Sequence, residues 1–135
     1  MRIYRGIPNR HLEPEKARVD RRRRRRWLRD GRVVFVGRRM QYRGDSQIGR
    51  EKGIDTALAI DLVALAFWFP RDVFIVASRD TDIEPAIELL LSGRLGQRVV
   101  EVVGIRGRQR LRGQSGPTPW CHYLTREDFE SIRED

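Results

Sequence analysis

Residues 72–78, DVFIVAS, form one unbroken apolar run of β-branched and aromatic side chains, too short for a helix and closed by charge. Such a run predicts a central parallel strand covered on both faces. The segments around it have the opposite character. KGIDTALAIDLVALAFW, residues 52–68, is rich in Ala and Leu and too long for a strand, so it predicts a helix apolar on nearly every side and packed deep against a sheet. DIEPAIELLLSG, residues 82–93, predicts a second helix. Pro85 lies in its first turn, Ile87, Leu90 and Leu91 follow helical spacing, and Gly93 serves as C-cap. QRVVEVVGI, residues 97–105, returns to strand character.

The N-terminal part repeats the pattern with more charge. MRIYRGI, residues 1–7, alternates weakly and predicts a strand. Residues 9–28 predict a loop leading into a helix, with Pro14 suited to its first turn, and RVVFVGRRMQYR, residues 32–43, predicts another strand. Strand and helix alternate along the chain, which is the order of an α/β domain with a parallel sheet. The expected organisation is a domain over residues 1–103, a flexible, Gly-rich basic segment over 104–119, and a C-terminal segment over 120–135 packing on the same domain. The last segment ends in a short helix capped by Thr125, with Asp128 at its third position.

Composition enters through charge. The formal net charge is +9 and the pI near 11.0, and all but Lys16 and Lys52 of the 28 basic residues are arginine. Arginine binds phosphate through a planar, bidentate fork, so a polyanionic partner is expected, nucleic acid before a membrane surface. The single cysteine, Cys121, excludes an intramolecular disulfide and a zinc site built on several cysteines, and reads as a small buried hydrophobe. His11 and His122 carry no catalytic context. No apolar run reaches the length of a membrane span and no signal-peptide core is present, so the expectation is a soluble cytoplasmic protein that does not engage a membrane.

Against this basic background two carboxylates stand one residue apart, at Asp80 and Asp82, just past the 72–78 strand. Ligands of open parallel sheets bind beyond the carboxyl ends of the strands. Paired carboxylates there suit Mg²⁺ or Mn²⁺. The same residues also suit helix capping, since aspartate before a helix accepts backbone N–H groups. Glu51, Asp55 and Asp61 form a second acidic group in and before the 52–68 helix. Asp55 lies in its first turn, and Asp61 reads as a structural group with an arginine or a backbone N–H as partner.

Lys52-Gly53-Ile54-Asp55 opening an Ala/Leu-rich helix, then Ser78-Arg79-Asp80-Thr81-Asp82 after a central strand, then Pro85, closely resembles the NYN domain of the PIN-like nucleases, which includes the LabA-like proteins. The resemblance covers residues 1 to about 103 and extends more weakly to PWCHYLTREDF. It implies a Rossmann-like PIN fold, three layers of α/β/α with a mainly parallel sheet, and metal-dependent cleavage of RNA. By resemblance, Asp55, Asp80 and Asp82 are catalytic and hold Mg²⁺ or Mn²⁺. Ser78 would hold the turn or contact a metal-bound water. Lys52 would reach a phosphate oxygen or pair with Glu51.

The sequence departs from that family in two places. No segment ending in Asp-Gly-x-Asn precedes MRIYRGIP, which resembles the family's second strand, so the first strand and its carboxylate are missing from these residues. That would leave a sheet edge unpaired, an invitation to homodimer formation. Arg79 stands where the family most often has glycine, and is a candidate phosphate contact. Arg21 to Arg26 sweep more than one full helical turn, so only three or four can face one RNA backbone. Arg21, Arg22, Arg24 and Arg25 are the candidates, with Arg106 and Arg108 of the basic segment as a second contact. Trp27 reads as a core or edge residue. The competing reading is a non-catalytic RNA-binding or protein-interaction module whose metal site has decayed.

Overall fold

The computed structural model describes residues 1–44, 46–93, 99–114 and 116–132. Residues 97 and 98 of the expected strand and the last three residues of the expected C-terminal helix lie outside the described residues. The described part is a mixed α/β chain with parallel strand pairing, and it divides into two compact units, Met1–Leu58 and Ala59–Asp135.

In the first unit, β1 (Arg2–Ile7) and β2 (Val34–Arg39) pair in parallel from Arg2↔Val34 to Ile7↔Arg39. They are joined by α1 (Pro14–Trp27), which begins at the proline that pre-sets its first φ angle. β2 is shorter than its apolar run suggests. Beyond it Gln41 and Arg50 exchange backbone hydrogen bonds at 2.9 Å and close the intervening loop as an isolated antiparallel bridge. The end of α1 rests on β2 through aromatic stacking, with the Trp27 and Phe35 rings 6.4 Å apart at 25°. Glu13, just before α1, ties the loop down. Its carboxylate accepts from the Tyr42 hydroxyl at 2.6 Å, the Gly49 backbone N–H at 3.2 Å and the Lys16 ammonium at 3.0 Å.

In the second unit, β3 (Val73–Val76), β4 (Val99–Ile105) and β5 (Trp120–Leu124) form one parallel sheet in that order. The sequence reading did not anticipate β5. Val76, Val102 and Cys121 are in register across the three strands, and all three are buried. Above them lies α3 (Glu84–Leu91), entered through a short 3-10 helix (Thr81–Ile83); Ile83, Ile87 and Leu90 are fully buried. Ser92 closes α3 and Gly93 follows at φ 73°, the left-handed position expected of it. The C-terminal helix α4 (Arg126–Ile132) carries its capping box: Thr125 N–H donates to Asp128 at 2.7 Å, and Asp128 N–H donates to the Thr125 hydroxyl at 3.2 Å.

The other face of this sheet is open. Val73, Ile75, Val99, Ile105, Trp120 and Leu124 are all exposed there, and Glu101 and His122 pair at 2.5 Å among them. The helix α2 (Ile54–Trp68) starts in the first unit and continues in the second. It is not buried on nearly every side, as its composition suggests. Ile54, Leu62 and Ala66 make one buried stripe at helical spacing, while Ile60, Phe67 and Trp68 remain exposed. Apolar composition all round fixes the helix but not which side is covered.

Two outcomes follow from this packing. Leu90 is completely buried, so Leu90→Ala should destabilise the second unit by about 2–5 kcal/mol in denaturant unfolding. The Tyr42 hydroxyl, and then Lys16, hold the Glu13 carboxyl below its ordinary value of 4.5. A lowered folded pKa contributes stability that is complete above that value and is lost as pH falls through the folded one. Glu13→Gln should therefore lower the melting temperature at neutral pH and flatten its decline below about pH 4.5.

Candidate functional site

The parallel sheet of the second unit places the carboxyl ends of β3, β4 and β5 along one edge. Asp80 and Asp82 follow β3 at that edge and both are exposed. The turn that carries them is built from side chains. The Ser78 hydroxyl accepts from Asp80 N–H at 3.1 Å, and Asp80 Oδ1 accepts from Asp82 N–H at 3.0 Å. Asp80 is thus the N-cap of the 3-10 helix, and the capping role allowed by the sequence is present. One oxygen of Asp80 and both of Asp82 stay outside this arrangement. Neither residue forms an ion pair with an arginine among the described residues.

The remaining sequence-derived candidates lie elsewhere along the chain. Asp55 occupies the first turn of α2 and is half-buried. Lys52, just before that helix, is exposed, and among the described residues it makes no ion pair with Glu51. Glu51 instead accepts the Gly6 backbone N–H of β1 at 2.8 Å. Its side chain fills the space that a side chain on Gly6 would need, with its Cγ only 2.6 Å from where a Cβ would sit, so Glu51 has a structural task. The Asp80–Asp82 pair is brought together; Glu51 and Asp55 belong to the first unit with β1 and the start of α2. Among the described residues no group of three or more His, Cys, Asp or Glu side chains converges in a metal-holding arrangement.

The arginines divide by role. Arg24 lies over the Phe35 ring at 5.3 Å and is partly buried, so it covers an aromatic face. Arg21, Arg22 and Arg25 are exposed on α1, and Arg79 is exposed beside Asp80. Arg106 and Arg108 lie in the turn after β4. Arg106 N–H donates to the Leu124 carbonyl at 3.0 Å and Arg108 N–H to the Ile105 carbonyl at 2.9 Å. The basic segment that follows is held at three points. Leu111 is 1% exposed, Glu84 of α3 accepts from Arg112 N–H at 3.0 Å, and Glu88 accepts from Gln114 N–H. Sequence reasoning missed the two glutamate anchors. Their signal was present: glutamates four residues apart share one helix face.

A sizeable hollow in the second unit is of another kind. It is an open groove of about 610 Å³ lined by Ala59, Ile60, Val63, Ala64, Phe67, Trp68 and Ala86. No polar side chain lines it, so it offers no acid, base or ligand for chemistry.

The chain matches no protein-family model, no curated protein and no solved structure.

The turn separates two roles of one residue. Asn caps a helix about as well as Asp, whereas Ala does not. Asp80→Ala should cost roughly 1 kcal/mol of stability and Asp80→Asn close to nothing, as measured by chemical denaturation. Any activity lost in Asp80→Asn then reports the charge and not the cap.

Proposed function

We propose that this protein is a divalent-metal-dependent ribonuclease of the NYN/PIN-like kind, with a Rossmann-like three-layer arrangement. One observation carries the reading. In a chain of 28 basic residues, Asp80 and Asp82 stand exposed beyond a parallel strand without an ion pair among the described residues. Two carboxylates left unneutralised among so many arginines are available to a cation. Their donor set fits the group: Mg²⁺ is commonly held by one or two carboxylates, with waters and substrate phosphates completing its shell.

In this reading Asp80 and Asp82 hold Mg²⁺ or Mn²⁺; Asp55, in the first unit, is the third ligand that the resemblance implies. Such an ion, when bound, lowers the pKa of a water and offsets charge on a phosphate. The protein's own contribution is placement. Ser78 fixes the turn through Asp80 N–H, and Asp80 Oδ1 holds the Asp82 backbone N–H, so the turn that carries both carboxylates is set by its own side chains. Arg21, Arg22 and Arg25 on α1, with Arg79, Arg106 and Arg108, bind the RNA backbone, and Lys52 reaches a further phosphate. Arg24 contributes through its contact with Phe35.

A second reading is a module that binds RNA without cutting it. The lack of a converging group of three metal-binding side chains among the described residues favours it. The two readings separate in one assay. The nuclease reading expects cleavage of single-stranded RNA with Mn²⁺ or Mg²⁺, abolished by chelator and lowered at least about 100-fold in Asp80→Asn. It also expects log affinity to fall with log salt at a slope of roughly −3 for four phosphate contacts. Salt-sensitive binding with no turnover in any metal would leave the binding module as the function.

A further inference from the structure

The carboxyl edge that carries Asp80 and Asp82 also carries a cluster of unpaired charge. The Arg106 and Arg110 guanidinium groups both lie 5.8 Å from the centroid of the Tyr123 ring. Like charges gathered on one ring repel each other, and the π-face only partly offsets that repulsion. Neither arginine has an ion-pair partner among the described residues. Arg110 Nε is shielded from solvent and has no hydrogen-bond acceptor among them. A guanidinium N–H sealed from water without an acceptor is an unmet demand for one.

The cluster is held rigidly. Arg106 begins a turn whose next residue, Gly107, takes φ 79°, and its backbone is tied to Leu124 of β5. Arg110 immediately precedes the fully buried Leu111. Arg110 and Tyr123 both lie beside Gly104, next to Cys121, whose Sγ would be 3.0 Å from a Cβ at that position. A Cβ there would lie 3.4 Å from Arg110 Cβ and 3.6 Å from Tyr123 Cε1.

We propose that Arg106, Arg110 and Tyr123 form a binding site for a backbone phosphate of single-stranded RNA. The two guanidinium groups hold the phosphate, and Tyr123 is the positioning residue that brings them together. Gly104 and Tyr123 are in register on β4 and β5, and β4 lies between β3 and β5. The site is therefore two strand spacings, about 10 Å, to the side of the strand that leads to Asp80 and Asp82. That spacing suits a phosphate upstream or downstream on the same strand of RNA. The proposal rests on the RNA binding that both proposed readings share for the identity of the anion as RNA. It requires no metal and no cleavage.

The test measures binding of a fluorescein-labelled oligouridylate by anisotropy, in excess chelator, across a salt series. Arg106→Gln/Arg110→Gln should reduce the magnitude of the salt slope by about 0.7, because the pair holds one phosphate and each single-strand phosphate contact contributes about 0.7. If the proteins converge at about 1 M salt, affinity near 0.1 M falls roughly 5-fold. Tyr123→Leu should lower the slope, and Tyr123→Phe should restore it, since the ring and not the hydroxyl does the positioning. Arg126→Gln, in an exposed pair with Glu130, should leave the slope unchanged. Circular dichroism confirms that each variant is folded, and single Arg106→Gln and Arg110→Gln variants replace the double one if it is not. A slope equal to wild type in the arginine variants overturns the proposal, even if Asp80→Asn abolishes cleavage. Loss of slope without any cleavage by the wild type upholds the site and rejects the nuclease reading.

Discussion

Carboxylates that accept backbone N–H groups hold the irregular parts of this chain in place. Glu13 binds Gly49, Asp30 binds Arg32 and Glu51 binds Gly6 in the first unit. Asp80 binds Asp82, Glu84 binds Arg112, Glu88 binds Gln114 and Asp128 binds Thr125 in the second. In a chain with 28 basic and 19 acidic residues, surface ion pairs are the obvious use for an acid. Here many acids instead satisfy amides that have no partner in a helix or strand. The consequence is electrical: Arg21, Arg22 and Arg25 of α1 and Arg106 and Arg110 after β4 form no ion pair among the described residues, and their charge remains available to a polyanion.

The same interaction makes the candidate site ambiguous in a productive way. Asp80 does structural work, because its Oδ1 caps the 3-10 helix. That work holds the Asp80 carboxylate against the backbone of Asp82. A capping aspartate and a metal ligand are compatible roles for one side chain, since a carboxylate offers more than one acceptor site. What sets this pair apart from an ordinary cap is its setting at the carboxyl edge of a parallel sheet, shared with Arg106, Arg110 and Tyr123.

Much of the element order could be read from the chain because each element had a clean local signal. The DVFIVAS run marked a strand, Pro14 and Pro85 marked helix starts, Gly93 marked a helix end, and Thr125 with Asp128 marked a capping box. β5 escaped because WCHYL lacks both β-branched enrichment and alternation; its strand state comes from pairing with β4, a long-range effect. The exposed side of α2 escaped because a helix apolar all round has no preferred face in its pattern. At the site, the Asp80–Asp82 turn was legible from residue types alone. The Glu51–Gly6 bond and the Arg110–Tyr123 contact were not, since each joins residues that only the folded chain brings together, the first through a glycine that makes room.

The placement of the tryptophans has an optical corollary. Trp68 and Trp120 are 68% and 71% exposed, and Trp27 is only partly covered by Phe35 and Arg5. Indoles already surrounded by solvent dipoles emit much as they do in an unfolded chain. Intrinsic fluorescence will therefore change little in colour when this protein unfolds, and the far-ultraviolet signal of its helices is the more informative witness.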